Sequence, residues 1–405
     1  MKNAAIPRYR RFDGPALFRQ GFRPFFLGAG LWALISLGLW MAVLAGWLSL
    51  PAAFPPLDWH AHEMIFGFAG AAIAGFLLTA VPNWTGRMPL QGIPLILLFA
   101  AWLAGRIAMA AGAAIGALPA TVIDLAFPAL LLAALGREIV TGRNWRNLPV
   151  LIVLGLLFAA NLLTHLDALG IAETGGAGQR GGLAVVIGLI SLIGGRIVPS
   201  FTRNWLAKRG ATKMPASFGS LDRLALAMTA AGLAFWAALP EAGASGFLLL
   251  AAGVLGWVRL ARWRGMRTFA EPLVWSLHLG FAWVPLGLGL LGASVLWPAT
   301  IPAAAAIHAL SAGAIGAMTL AVMTRATLGH TGRALAADRL TGAVYLLVAL
   351  AALARVAAAL GAALGMGGYD PLLWLAASAW TGAFALFTLR YGRYLLEGRA
   401  PAPLK

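Results

Sequence analysis

Two imidazoles and a carboxylate stand almost side by side in Trp59-His60-Ala61-His62-Glu63-Met64, at the head of a long apolar run. Imidazole nitrogen is a ready ligand for first-row metals, and a neighbouring carboxylate can orient the ring or pass it a proton. The chain has six histidines, His60, His62, His165, His278, His308 and His330, and no cysteine. The histidines are therefore its only strong nitrogen or sulfur ligands; disulfides, thiolate ligation and cofactor attachment through cysteine are excluded. Each histidine also has a plainer role open to it. The His60/His62 pair suits a solvated interface, His330 a loop touching lipid phosphate, and any one of the six a hydrogen-bonded packing position. Glu63 suits a helix N-terminus, where a carboxylate is favourable by up to about 1 kcal/mol.

The elements that position these residues follow from composition. Of 405 residues, 61% are hydrophobic and 11% charged, against roughly half and a quarter in soluble domains. About twenty apolar residues cross about 30 Å of hydrocarbon. Counting such runs predicts an all-α, polytopic transmembrane bundle of twelve helices, near 26–48, 62–82, 92–111, 118–136, 148–169, 182–200, 222–239, 246–260, 272–292, 301–323, 340–361 and 372–390. Residues 1–25 then form a basic N-terminal tail retained in the cytoplasm, 26–396 a single membrane domain and 397–405 a cytoplasmic C-terminal tail.

The formal charge of +17 is distributed as topology requires. Lys and Arg concentrate in both tails and in every second loop, from Arg87 through Arg137, Arg143 and Arg146 to Arg203, Lys208 and Arg209, and on to Arg262, Arg264, Arg333 and Arg339. The alternate loops hold only Arg180. This is the positive-inside pattern, with both termini cytoplasmic, and an attraction to anionic lipid rather than a nucleic-acid footprint. Trp47, Trp59, Trp84, Trp205, Trp263 and Trp297 fall near span ends, where interfacial aromatics belong. A short echo ends the second, sixth and tenth spans (Ala80-Val81-Pro82, Ile197-Val198-Pro199, Ala321-Val322-Met323), suggesting three quasi-repeats of four helices.

At about 1.5 Å per residue, topology becomes depth. His60 and His62 fall at the outer mouth of the second span, His165 near the outer end of the fifth, and His308 about 10 Å below the outer surface. His278 lies at a similar depth on the inner side, and His330 in a cytoplasmic loop. An outer cluster of four and an inner pair are thus expected. Ala312, Gly313 and Gly316 below His308, and Ala69 and Gly70 below His62, leave a flat slot suited to a planar cofactor, or simply let helices pack closely. Arg106, Asp124 and Arg355 lie in the outer half of their spans and Arg196 in the inner half. Buried arginines need anions. Asp124 can hold Arg106 in a pair between the third and fourth spans, or the arginines can meet acidic groups of a cofactor.

Several stretches resemble one family. Phe22-Arg23-Pro24-Phe25-Phe26, the segment Trp59 to Gly67, Leu103-Ala104-Gly105-Arg106, Gly194-Gly195-Arg196, Leu277-His278-Leu279-Gly280-Phe281-Ala282-Trp283, His308-Ala309-Leu310 and the run Met318 to Arg333 are similar to NnrS proteins over nearly the whole chain. The resemblance implies a bacterial inner-membrane protein with haem and copper, linked to denitrification and the nitric oxide response. It implies haem b, one or two per chain, on His308 with His62 or His60, with His278 and His330 serving an inner haem or copper site. The remaining outer imidazoles, His165 among them, are then copper ligands. Arg106, Arg196 and Arg355 would contact the cofactor, and Glu63 would carry protons or support a ligand. In arrangement alone the chain also resembles haem-copper oxidases and the related nitric oxide reductases, with twelve helices in three four-helix arcs. It departs from them in having no histidine in helices 6 and 7 and only one in helix 10. The implied activity is binding of nitric oxide and its reduction to N2O, with quinol or a periplasmic cytochrome as electron donor. Nitric oxide, membrane lipid, that donor and a second copy in a homo-oligomer are the expected partners. The alternatives are a transporter of a metal or metal-nitrosyl species, and a nitric oxide-binding or haem scaffold without turnover.

Overall fold

In hydrocarbon every backbone N–H and C=O must bond within its own segment, so long apolar runs become helices. The computed structural model describes residues 12–400 and contains, among these, twelve helices long and apolar enough to span a membrane and no strand. In chain order they are α1 (Phe22–Leu44), α2 (Pro56–Thr85), α3 (Ile93–Ala110), α4 (Ala117–Thr141), α5 (Trp145–Ala168), α6 (Ala177–Ala207), α7 (Ser220–Ala238), α8 (Gly243–Arg267), α9 (Pro272–Leu296), α10 (Ala303–His330), α11 (Arg339–Ala363) and α12 (Tyr369–Leu396). The count is the expected one.

The bounds differ where hydropathy and helicity part company. α2 begins at Pro56, not at residue 62, because Pro55-Pro56 presets its first turn and Asp58 suits the positive end of the helix dipole. His60 and His62 consequently lie a turn and more inside the helix instead of at its mouth. α10 continues past its apolar stretch through Thr324, Arg325 and Thr327 to His330, which therefore ends a helix instead of sitting in a loop. Hydropathy registers affinity for lipid, whereas polar residues extend a helix equally well outside it. Of the tail expected over 1–25, residues 1–11 lie outside the described residues and α1 already begins at Phe22. Of that expected over 397–405, residues 401–405 lie outside. Trp59 and Trp263 are buried within the protein, while Trp47 and Trp297 are exposed.

Helix packing gathers the chain into two compact units. The first holds residues through Gly175, together with His330–Gly332 and the chain from Tyr391 on; the second holds Gly176–Gly329 and Arg333–Arg390. In the first unit α2 packs on α1 and α4, α3 on α4, and α4 on α5. Gly105 brings α3 against α4, since a Cβ there would stand 3.0 Å from Asp124 Oδ1. Arg23 gives the Phe22-Arg23-Pro24 motif its purpose: its Nη1 donates to the carbonyls of Tyr394, Leu395 and Glu397 (3.2, 2.9 and 2.6 Å), satisfying the end of α12 with a cation. In the second unit α9 packs on α8, α6 and α10, and α11 on α10. Its buried ion pair joins Arg259 on α8 to Asp222 on α7 at 2.9 Å, and Gly195 leaves the guanidinium room.

Candidate metal centre

The second helix is not uniformly α. Pro56–His62 is α-helical, Glu63–Ala69 is π-helical, and the α form resumes at Gly70. A π-turn widens the helix by one residue and commonly marks a functional site. The carbonyl of Gly67, inside this turn, accepts from Trp102 Nε1 at 3.0 Å. The turn places His62 and Glu63, neighbours in sequence, against α3, α4 and α5.

His62 Nε2 lies 3.3 Å from Asp124 Oδ2 on α4 and 2.9 Å from Asn161 Oδ1 on α5. His165 Nε2, also on α5, lies 3.0 Å from the same Asp124 Oδ2. One atom from each of His62, Asp124 and His165 falls within 4.8 Å of the others, the arrangement a metal ion needs. Bonds of about 2.0–2.1 Å in a tetrahedral site give ligand–ligand edges of about 3.3 Å, close to the 3.3 and 3.0 Å that separate Asp124 Oδ2 from the two imidazoles. The far nitrogens are held too. His62 Nδ1 meets Glu63 Oε1 at 3.0 Å, and His165 Nδ1 meets Thr121 Oγ1 at 3.0 Å. Such outer partners fix a ligating ring and its tautomer. Phe54 stands against both imidazoles and Phe66 against His62, which excludes water.

The charges are counted easily. Arg106 Nη1 donates to both oxygens of Glu63 (2.6 and 2.7 Å) and its Nη2 pairs with Asp124 Oδ1. Trp32 Nε1 donates to Glu63 Oε2 at 2.7 Å, and Asn161 Nδ2 to Asp124 Oδ2 at 2.8 Å. The charged groups and both imidazoles are at most 1% exposed. Two carboxylates against one guanidinium leave one negative charge where charge is costly. A metal cation, or a proton on the imidazole pair, completes the balance. The Arg106–Asp124 pair weighed from sequence is present, and Glu63 shares it.

The other candidates fall elsewhere. His60 stacks on Trp40 (centroids 4.7 Å apart, planes at 15°) and is not part of the three-residue group. Of the outer four, His62 and His165 are brought together; His308 belongs to the second unit. His330 packs against Phe22 in the first unit, with centroids 5.4 Å apart, whereas His278 belongs to the second. His278 Nε2 meets Thr202 Oγ1 at 2.7 Å, while its buried Nδ1 has no partner and faces Gly265. Arg196 is exposed and joins none of these groups.

His308 repeats the device of His62. It ends the α-helical stretch Ala303–His308, and Ala309–Gly316 is π-helical. Its Nδ1 donates to the Ala304 carbonyl at 2.7 Å, leaving Nε2 as the nitrogen open to a metal. On α11, the buried Nη1 of Arg355 has no hydrogen-bond partner. A free imidazole nitrogen and an unpartnered guanidinium nitrogen are the donor types that an iron and an acidic cofactor group would call on. The slot expected beneath His308 is not open, however. A Cβ on Gly313 would meet the Trp283 ring at 2.5 Å, and one on Gly316 would meet Trp380 at 2.6 Å, so these glycines receive tryptophans. Around His62 both ring nitrogens already face Glu63, Asp124 and Asn161, a polar setting that fits a metal ion better than a porphyrin face.

Asn161 carries no sequence signal, and Asp124 reads from sequence as an arginine's partner rather than as a ligand. A signal for the two α-to-π junctions does exist: Pro-x5-His-x4-Gly-x2-Gly occurs at Pro56, His62, Gly67 and Gly70, and again at Pro302, His308, Gly313 and Gly316.

Among known proteins, the family model described as NnrS protein matches residues 16–399. A search of curated proteins returns no match. Since the family match spans nearly the whole chain, this protein belongs to the NnrS family.

Proposed function

We propose that the chain is a metalloprotein of the nitric oxide response that binds nitric oxide in the membrane and reduces it to N2O. Family membership supports a membrane protein of that response. The observation that carries the rest is the buried trio of His62, Asp124 and His165, whose donor set of two imidazoles and a carboxylate suits copper. Haem b would supply one-electron chemistry, with His308 Nε2 and Arg355 as the residues that would hold it, away from the Gly313 and Gly316 positions that Trp283 and Trp380 fill. The balance is two NO, two electrons and two protons to N2O and water. Electrons come from quinol or a periplasmic cytochrome. Glu63, joined at once to His62, Arg106 and Trp32, accepts from the His62 ring at Oε1 and is placed to take up or return that ring's Nδ1 proton. The basic loops favour both termini on the cytoplasmic side of the bacterial inner membrane, and a homo-oligomer would fit that setting.

The test is anaerobic nitric oxide consumption by purified protein with added reductant, alongside metal analysis and a haem spectrum. Turnover that disappears in His62→Ala supports the reading; haem-loaded and copper-loaded protein without turnover overturns it and leaves a nitric oxide-binding scaffold. The buried Glu63–Arg106–Asp124 chain is also what a transporter of a metal or metal-nitrosyl species would use for coupling. Uptake into proteoliposomes without redox turnover would favour that second reading.

A further inference from the structure

One cleft adjoins the metal centre. It measures about 440 Å³ with its open mouth included, and its inner space takes no more than one or two water-sized molecules. Arg106, Asp124 and Asn161 form its polar end; Phe66, Gly70, Ile73, Phe127, Leu131 and Leu154 are among its apolar walls. From Asp124 to Leu131 on α4, and from Asn161 to Leu154 on α5, the wall runs about 10 Å along each helix.

The glycines of α2 show that this space is built in. A Cβ on Gly67 would press within 2.8 Å of Arg106, Glu63 and Trp32, and one on Gly75 within 2.6 Å of Phe26. Both are there for close approach. Gly70 is not: a Cβ there would meet only Phe127, at 4.0 Å. Its missing side chain leaves room rather than contact. Pro128 lines the same cleft from inside α4, and having no N–H it leaves the Asp124 carbonyl without its helical partner. The apolar part of such a space disfavours water and takes up uncharged atoms and molecules such as xenon, while its polar end at Arg106, Asp124 and Asn161 offers hydrogen bonds.

We infer that this cleft is a docking pocket for one small, uncharged, weakly polar molecule, of the size of a diatomic gas, held beside the metal at Asp124. The apolar walls exclude ions and disfavour water, and the polar end sits next to the ligand shared by both imidazoles. A molecule of this class partitions into bilayer hydrocarbon and needs no polar entry. The proposal rests on the metal reading for what the docked molecule meets, but not for the pocket itself.

Two probes separate them. Xenon binding, followed by 129Xe NMR on detergent-solubilised protein, reads the pocket with or without metal. Carbon monoxide recombination after photolysis from the cuprous protein reads access to the metal. In Gly70→Leu the side chain would fill the cleft; the expected result is unchanged copper content, loss of the xenon signal and slower recombination. Gly70→Ala, a smaller plug that folds more readily, should weaken both. Wild-type protein without xenon binding, or Gly70→Leu with wild-type xenon binding and recombination, overturns the pocket. Wild-type protein that takes up xenon, loses it in Gly70→Leu and holds no copper keeps the pocket and defeats the metal reading alone.

Discussion

His62 Nε2 lies 3.3 Å from Asp124 Oδ2, although these residues belong to different helices and neither is exposed. That oxygen also faces His165 Nε2 at 3.0 Å, so a single carboxylate joins both imidazoles. Asp124→Asn keeps the shape and removes the charge. It is expected to lower copper retention about 10- to 100-fold, the range for losing a supporting acid, or more because a direct ligand is lost. Metal analysis after dialysis against a chelator measures it; retention at the wild-type level would show that Asp124 is only the partner of Arg106.

Arg106 is the single cation between Glu63 and Asp124. Removing one member of a buried pair typically costs about 3–5 kcal/mol because the other charge stays buried. Arg106→Leu should therefore destabilise the protein severely. Adding Glu63→Gln to it should recover part of the loss, since one of two uncompensated carboxylates is then neutral. Thermal unfolding of the single and double variants in one detergent gives the coupling; strictly additive effects would contradict the shared pair.

On the proposed function, His308→Ala should remove a haem while leaving copper retention unchanged and the membrane protein folded, because Nδ1 of this ring bonds the Ala304 carbonyl and none of the trio's hydrogen bonds involves it. Arg355→Leu should retain the haem but shift its potential or weaken its retention, since a propionate would lose its cation. A Soret band of unchanged intensity in His308→Ala refutes the ligand assignment.

Asp338 tests the fold outside the spans. Its side chain caps α11, accepting from Thr341 N at 2.8 Å and Thr341 Oγ1 at 2.7 Å, and it meets Arg390 at 2.9 Å. Burial, the largest single influence, disfavours its charge, but the Thr341 hydroxyl and amide and the Arg390 guanidinium together outweigh it and hold its carboxyl below the usual range. A depressed folded value means that the stabilisation is present above the unfolded pKa, about 3.9, and is lost as pH falls through the lower folded value. Asp338→Ala should cost about 0.5–2 kcal/mol near neutrality, at the lower end because the pair with Arg390 is exposed and screened. The difference in melting temperature between wild type and Asp338→Ala should be constant from pH 7 to about pH 5 and shrink below about pH 4.

Twelve spans were legible because hydrocarbon imposes one requirement on every residue of a helix, and a run of apolar side chains meets it without reference to any other part of the chain. The Arg106–Asp124 pair was legible for the same reason: a charge in a span demands a partner, and few were on offer. The bounds of α2 and α10 were less so, since Pro55-Pro56 and the polar end at His330 obey helix chemistry rather than lipid affinity.

The sequence by itself thus determined that this is an all-α membrane protein, that imidazoles are its only strong nitrogen or sulfur ligand groups, and that its arginines need anions. Only the tertiary structure decided which imidazoles meet. His60 and His62 are two residues apart, yet one stacks on Trp40 and the other reaches Asp124, because a helix turns successive side chains to different faces and a π-turn resets them again. Asn161 and Thr121 carry no signal in an apolar run, and become partners of the two rings only when α4 and α5 are packed beside α2.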